Sequence, residues 1–306
     1  MLTIETSIKQ EISLIDTREI QYSDNTTNQV VTFQTKEKAD TTLICLPAMG
    51  VRASYYESFA ANLCGHGFNV VTADWRGQGK SSVRASKKIN FGYEEIIGDL
   101  RELIERTDTW FPGTKKVIVG HSLGGQIGSL YASRYPNLIN GLILITSCSV
   151  YYKGWHKIDR VKLYLAGNSF YLLSKIIGHF PGRTIGFGGR EARTVIKDWC
   201  YNAIYGEYKL ANSNHDYELS LKKMNTPILS FSIENDHLAS RTAIENLHKK
   251  FDPDSSILHL HLTSDLTNIS PLNHFSWAKD PNYLGELIKN WLRDNIELQS
   301  DKKIRK

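Results

Sequence analysis

The sequence predicts an α/β protein with a mostly parallel central sheet and helices on both of its faces. Three observations carry this. Short β-branched runs alternate along the chain with longer segments of helical apolar spacing. The apolar runs end in glycine-rich or polar turns, as strands feeding a parallel sheet do. At 306 residues and 41% apolar content, the chain can build one large domain with an insertion, or two small ones.

The elements follow in order. Strands from Glu11 to Ile15 and from Val30 to Gln34 open the sheet, with the polar residues Ser23 to Asn28 turning between them. Thr42 to Leu46 is an apolar strand that runs into Pro47-Ala48-Met49-Gly50. Ser54 to Cys64 reads as a helix closed by Gly65, Phe68 to Ala73 as a strand, and Tyr93 to Thr107 as a helix. That helix carries Ile96, Ile97, Leu100, Leu103 and Ile104 on one face. The strand from Lys116 to Val119 precedes helical spacing from Gln126 to Arg134, which Pro136 stops, and Leu142 to Ile145 is the next strand. The alternation then breaks from about Ser147 to Lys222, a stretch rich in large aromatics from Tyr151 to Tyr208. Strands from Pro227 to Ser232 and Ile257 to Leu262 and a helix from Tyr283 to Leu292 complete the chain. The expected division is therefore residues 1–146 with 223–306 as the sheet domain and 147–222 as an insertion.

Composition narrows the partners. No 18-residue apolar run occurs, and Met1-Leu2-Thr3-Ile4-Glu5 has neither a basic region nor an apolar one, so a cytoplasmic protein without membrane insertion is expected. Cys45, Cys64, Cys148 and Cys200 are scattered without metal spacing and read as reduced packing residues. The net charge of +5 lies partly in the tail from Asp301 to Lys306, which reads as a solvated end rather than a nucleic-acid contact. Nothing in the sequence sets the oligomeric state.

The chemistry concentrates in Gly120-His121-Ser122-Leu123-Gly124. A serine hydroxyl is a poor nucleophile unless it projects from a sharp strand-to-helix turn toward a base. Gly120 and Gly124 flank Ser122 where any Cβ would meet facing backbone. The base is read as His274, in the polar loop Leu272-Asn273-His274-Phe275-Ser276-Trp277 ahead of the last helix. His121 sits beside the serine and points elsewhere, and His259 and His261 alternate within a strand. His66, His156, His179, His215 and His248 read as solvated, and His237 follows the best acid directly. That acid is Asp236, in the loop Glu234-Asn235-Asp236-His237 at the carboxyl end of a strand, with Glu234 as its rival. The strand ending at Ile145 offers only Thr146-Ser147-Cys148-Ser149. Two backbone amides are the expected oxyanion donors: Leu123 N–H at a helix N-terminus, and Met49 N–H after the neighbouring strand. Gly79-Lys80-Ser81 lacks the first glycine of a phosphate-binding loop, and Gly186-Phe187-Gly188-Gly189 lacks dinucleotide-loop spacing; both read as turns.

With these residues the chain resembles the α/β-hydrolase fold serine hydrolases from about residue 41 to its last helix. The run Asp74-Trp75-Arg76-Gly77-Gln78-Gly79-Lys80-Ser81 is similar to the D-x-R-G-x-G-x-S loop of that superfamily. One departure is Pro47-Ala48, where most members carry His-Gly. The resemblance implies that 147–222 is a cap, and that some of its aromatics wall an apolar acyl pocket. It implies a carboxylic-ester hydrolase acting on a small-molecule ester or acyl substrate, with no cofactor and no metal. Acyl transfer through the same acyl-enzyme, or a silent binding protein on the same fold, are the alternative readings.

Overall fold

The computed structural model describes residues 12–298. Glu11, the N-terminal run 1–5 and the basic tail 301–306 lie outside the described residues. Strands β1 (Ile12–Gln21) and β2 (Thr27–Thr35) form a hairpin, followed by β3 (Thr41–Leu46), helix α1 (Glu57–Gly65), β4 (Asn69–Ala73) and α2 (Tyr93–Trp110). Then come β5 (Lys115–His121), α3 (Leu123–Arg134) and β6 (Gly141–Ile145). A long helix α4 (Lys157–Ile177), the short pair β7 (Phe180–Pro181) and β8 (Arg190–Glu191), and α5 (Arg193–Tyr205) intervene before β9 (Ile228–Ile233). Helix α6 (Arg241–His248), β10 (Ile257–Leu262) and α7 (Asn282–Leu292) finish the fold.

The main sheet has eight strands in the order β1-β2-β4-β3-β5-β6-β9-β10. Only β1 and β2 run antiparallel to their neighbours; the pairings from β4 across to β10 are parallel. Strands β3, β4, β6 and β9 are buried at every position, as expected where helices cover both faces. Alternation divides their side chains: Ile44, Leu46, Ile118 and Leu142 join one apolar core with α2 and α3. Leu43, Cys45, Val117 and Ile143 join the other with α1 and α7. The four cysteines are free and buried.

Several boundaries differ from the sequence reading. Strand β1 continues to Gln21, pairing Arg18 with Val30 and Glu19 with Gln29, because an edge hairpin tolerates polar residues on its solvated face. The expected helix at Ser54 starts as a 3-10 turn, Ala53–Tyr56, before α1. Helix α2 runs on to Trp110, and Pro112 with Gly113 blocks continuation. Helix α3 starts at Leu123, immediately after the serine. His248 is not solvated: its Nε2 lies 2.8 Å from Ser230 Oγ, and burial with the neighbouring His259 pushes it down to about 4.

The D-x-R-G-x-G-x-S loop is a structural brace. Asp74 accepts the amides of Ala53 (2.8 Å) and Lys80 (2.9 Å). Gly79 has φ +42, and a Cβ there would overlap the Asp74 carboxylate at 1.7 Å. Arg76 is held between Asp99 and Asp24, so removing either acid would leave a largely buried guanidinium underpaired.

Candidate active site

Strand β5 delivers the chain to the carboxyl edge of the sheet, where β5 must become α3 within one residue. Ser122 makes that turn with φ 53 and ψ −115. A non-glycine residue there costs on the order of 1–3 kcal/mol, held by its surroundings. Ser122 N–H donates to Ile145 O (3.0 Å), and its carbonyl accepts from Gly125 and Gln126 (3.1 and 3.2 Å). A Cβ on Gly120 would lie 2.4 Å from Gly125 Cα, and one on Gly124 would lie 2.2 Å from Leu46 O. Both glycines are therefore demanded by close backbone approach.

His274 arrives on the loop after β10. That loop is fixed by its own hydrogen bonds: Asn273 Oδ1 accepts from the amides of Phe275 and Ser276, and Ser276 Oγ donates to Pro271 O. His274 Nδ1 lies 2.8 Å from Asp236 Oδ2, with the two side chains 6% and 1% exposed. Asp236 Oδ1 accepts from Leu238 N and Ala239 N, both at 2.9 Å, which anchors the carboxylate in its turn. A carboxylate facing Nδ1 stabilises the Nδ1–H tautomer and leaves Nε2 free to accept a proton. Glu234 instead accepts from the amide and hydroxyl of Ser264, which hold its carboxyl below the ordinary range. Ser122 and His274 line one cavity without a direct hydrogen bond between them; such bonds often tighten only around substrate.

Of the two amides proposed as oxyanion donors, Leu123 N–H heads α3 and so lacks an intrahelical carbonyl. Met49 N–H has no hydrogen-bond partner among the described residues. The neighbouring Ala48 amide is engaged, donating to Tyr56 Oη at 3.1 Å. Tyr56 Oη in turn lies 2.6 Å from His121 Nδ1. Burial, with the His274 ring 4.8 Å away, holds His121 well below the ordinary imidazole range and so neutral. Trp75 Nε1 donates to Pro47 O at 2.8 Å.

The turn at Gly186 to Gly189, set aside in the sequence reading, packs on this loop. Gly50 has φ +72, and a Cβ on it would lie 2.2 Å from Gly189 N. Gly189 N–H donates to Glu191 Oε1 (2.8 Å), and Gln78 Nε2 donates to Glu191 Oε2 (3.1 Å). Tyr56 and Glu191 carry no signal of these roles in the sequence, because each joins a near neighbour to a partner far along the chain, His121 for Tyr56 and Gln78 for Glu191. Burial pushes the Glu191 carboxyl from 4.5 up to about 7. The native state therefore binds the extra proton between these values, and stability falls as pH rises through them. Glu191→Gln is expected to leave melting unchanged near pH 4.5 and to stabilise by up to about 3 kcal/mol above pH 7. Thermal melts across that range check this.

The cavity is about 310 Å³. Ser122, Leu123, Met49 and His274 line it, and Val150, Trp155, Phe170, Phe187 and Trp199 supply apolar walls. Of the aromatics between Tyr151 and Tyr208, these four face the cavity, while Phe180 and Tyr208 are buried in the core and Tyr164 and Tyr205 are exposed. Among the described residues no cluster of three or more His, Cys, Asp or Glu side chains could hold a metal.

Comparison with known proteins agrees with this fold. The family model described as serine aminopeptidase, S33, matches residues 37–175. The chain is 23% identical to a putative carbamate hydrolase, RutD, of Pantoea ananatis, over 82% of this chain and 88% of that protein. It is 29% identical to a monoacylglycerol lipase of Mycolicibacterium smegmatis, over 30% of this chain and 32% of that one. The solved structure of a soluble variant of monoglyceride lipase from Saccharomyces cerevisiae superposes with a TM-score of 0.68 at 14% identity, covering 92% of this chain and 95% of that one. The chain has the α/β-hydrolase fold, and it is a hydrolase of that kind. No helix among the described residues is long and apolar enough to cross a membrane.

Proposed function

We propose that the protein is a serine hydrolase of carboxylic esters that works through Ser122, His274 and Asp236. The observation that carries this reading is the buried His274–Asp236 hydrogen bond, made beside a serine in a strained elbow within one apolar cavity. Ser122 attacks the carbonyl carbon while His274 takes its proton; the oxyanion accepts from the amides of Leu123 and Met49. Collapse expels the alcohol, protonated by His274, and leaves an acyl-enzyme. Water, deprotonated by His274, then releases the acid and regenerates Ser122. In this reading residues 147–222 form a cap, whose apolar wall receives the acyl chain and restricts water around the developing charge. The carbamate hydrolase and lipase names of the relatives accord with acyl transfer to water.

The test is labelling with a fluorophosphonate, followed by turnover of p-nitrophenyl esters of increasing chain length. Stoichiometric labelling at Ser122 with ester turnover is expected; an adduct on another serine, or no turnover, overturns the reading. For the oxyanion site, Met49→Pro removes the amide N–H and should lower kcat by about 10² to 10³, whereas Met49→Ala should act only through packing. The comparison holds at matched melting temperature. Near-normal kcat in Met49→Pro would move the donor to Gly50, since the Ala48 amide is already engaged by Tyr56.

A further inference from the structure

The outer face of α4 does not follow the rule that apolar side chains turn inward. Ile158, Val161, Leu165, Leu172 and Ile176 are 51–69% exposed. Their spacing places them in one stripe along the helix. The opposite face of the same helix carries Leu163, Ala166 and Phe170 into the cavity. An exposed apolar stripe of this kind, interrupted midway by Asn168 and Ser169, marks an interaction surface.

Its charge identifies what it meets. Helix α4 holds Lys157, Arg160, Lys162 and Lys175 against one acid, Asp159, which lies 3.6 Å from Lys162. By helical geometry, Lys157 and Lys175 flank the stripe on one side and Lys162 flanks it on the other. A second copy of the chain, docking the same face on itself, would bring these cations together. An anionic lipid surface complements them, while the stripe enters the boundary between headgroups and acyl chains. The cavity opens beside this face: Lys162 of α4, together with the exposed Leu238 and Phe275, lines it.

We propose that α4 docks the protein on anionic lipid surfaces, with the mouth of the cavity beside the lipid. This rests on the ester-hydrolase reading only for what then enters the cavity, an acyl ester drawn from that surface. Docking itself is independent of turnover.

The test is co-sedimentation of the full chain with vesicles of phosphatidylcholine alone, or of phosphatidylcholine and phosphatidylglycerol in equal parts. Lys157 and Lys175, the flanking cations not paired to Asp159, should favour the anionic vesicles roughly 30-fold, a preference that salt erodes. Val161→Glu with Leu165→Glu and Leu172→Glu should abolish binding and leave turnover of a soluble p-nitrophenyl ester unchanged, since none of the three lines the cavity. Lys157→Gln with Lys175→Gln, which leaves the apolar stripe intact, should cut anionic binding roughly 10-fold or more and serves if the triple variant fails to fold. Binding that ignores both sets of substitutions overturns the proposal. So does a wild-type dimer that the triple variant converts to monomer while vesicles are not bound. Soluble-ester turnover without vesicle binding overturns the docking alone; vesicle binding without turnover overturns the hydrolase reading alone.

Discussion

Ser122→Ala is expected to lower kcat for ester hydrolysis by about 10⁴ to 10⁶, and His274→Ala to be about as severe. The reason is cooperative. Without the hydroxyl there is no acyl-enzyme, and His274 has no proton to move; without the imidazole, the hydroxyl remains a weak nucleophile. The double variant should therefore be little worse than either single one, and the residual rate over water reflects the oxyanion amides and substrate positioning alone. Alanine at position 122 keeps a side chain at φ 53, so the strain is retained and the fold should persist. Kinetics on protein of unchanged melting temperature check this, together with loss of phosphonate labelling in Ser122→Ala. Strictly additive losses, or persistent labelling of the alanine variant, would overturn the assignment.

How much of this was legible in the sequence depended on whether the decisive contacts were local. The central strands announce themselves because burial on both faces leaves nothing but β-branched and apolar residues, as in Val117 to Val119 and Leu142 to Ile145. The elbow is legible because its glycines are needed within two residues of Ser122. Strand β1 is half hidden: Asp16-Thr17-Arg18-Glu19 looks like a loop until β2 pairs with it. Helix α4 is hidden for the opposite reason. Leu163 and Phe170 face inward while Val161 and Leu165 face outward, so apolar residues surround the helix and blur its period. The Gly186 to Gly189 turn acquires its role only through Gly50, more than a hundred residues away in the chain. Tyr56 likewise matters only through Ala48 and His121. Nothing in either neighbourhood encodes such a contact.

Asp236→Asn and Glu234→Gln should separate the two acids of the same loop. In Asp236→Asn the side-chain carbonyl oxygen can stay toward the amides of Leu238 and Ala239, now served by Asp236 Oδ1 at 2.9 Å, so the turn and the fold should survive. What faces His274 Nδ1 is then an amide N–H instead of a carboxylate. Two donors cannot share that 2.8 Å contact, so the ring must accept at Nδ1 and carry its proton on Nε2. A histidine protonated at Nε2 presents a donor where Ser122 needs an acceptor, and no buried negative charge balances an imidazolium. The expected loss is about 10⁴ in kcat, with KM changed little because the cavity walls are untouched. Glu234→Gln removes a charge that accepts from Ser264 and does not reach His274, so its rate should stay within roughly twofold, in the range of ordinary surface substitutions. Measuring kcat and KM for both variants on one p-nitrophenyl ester decides the matter. A reversed rank order would transfer the orienting role to Glu234, and a normal rate in both would remove the carboxylate from the mechanism.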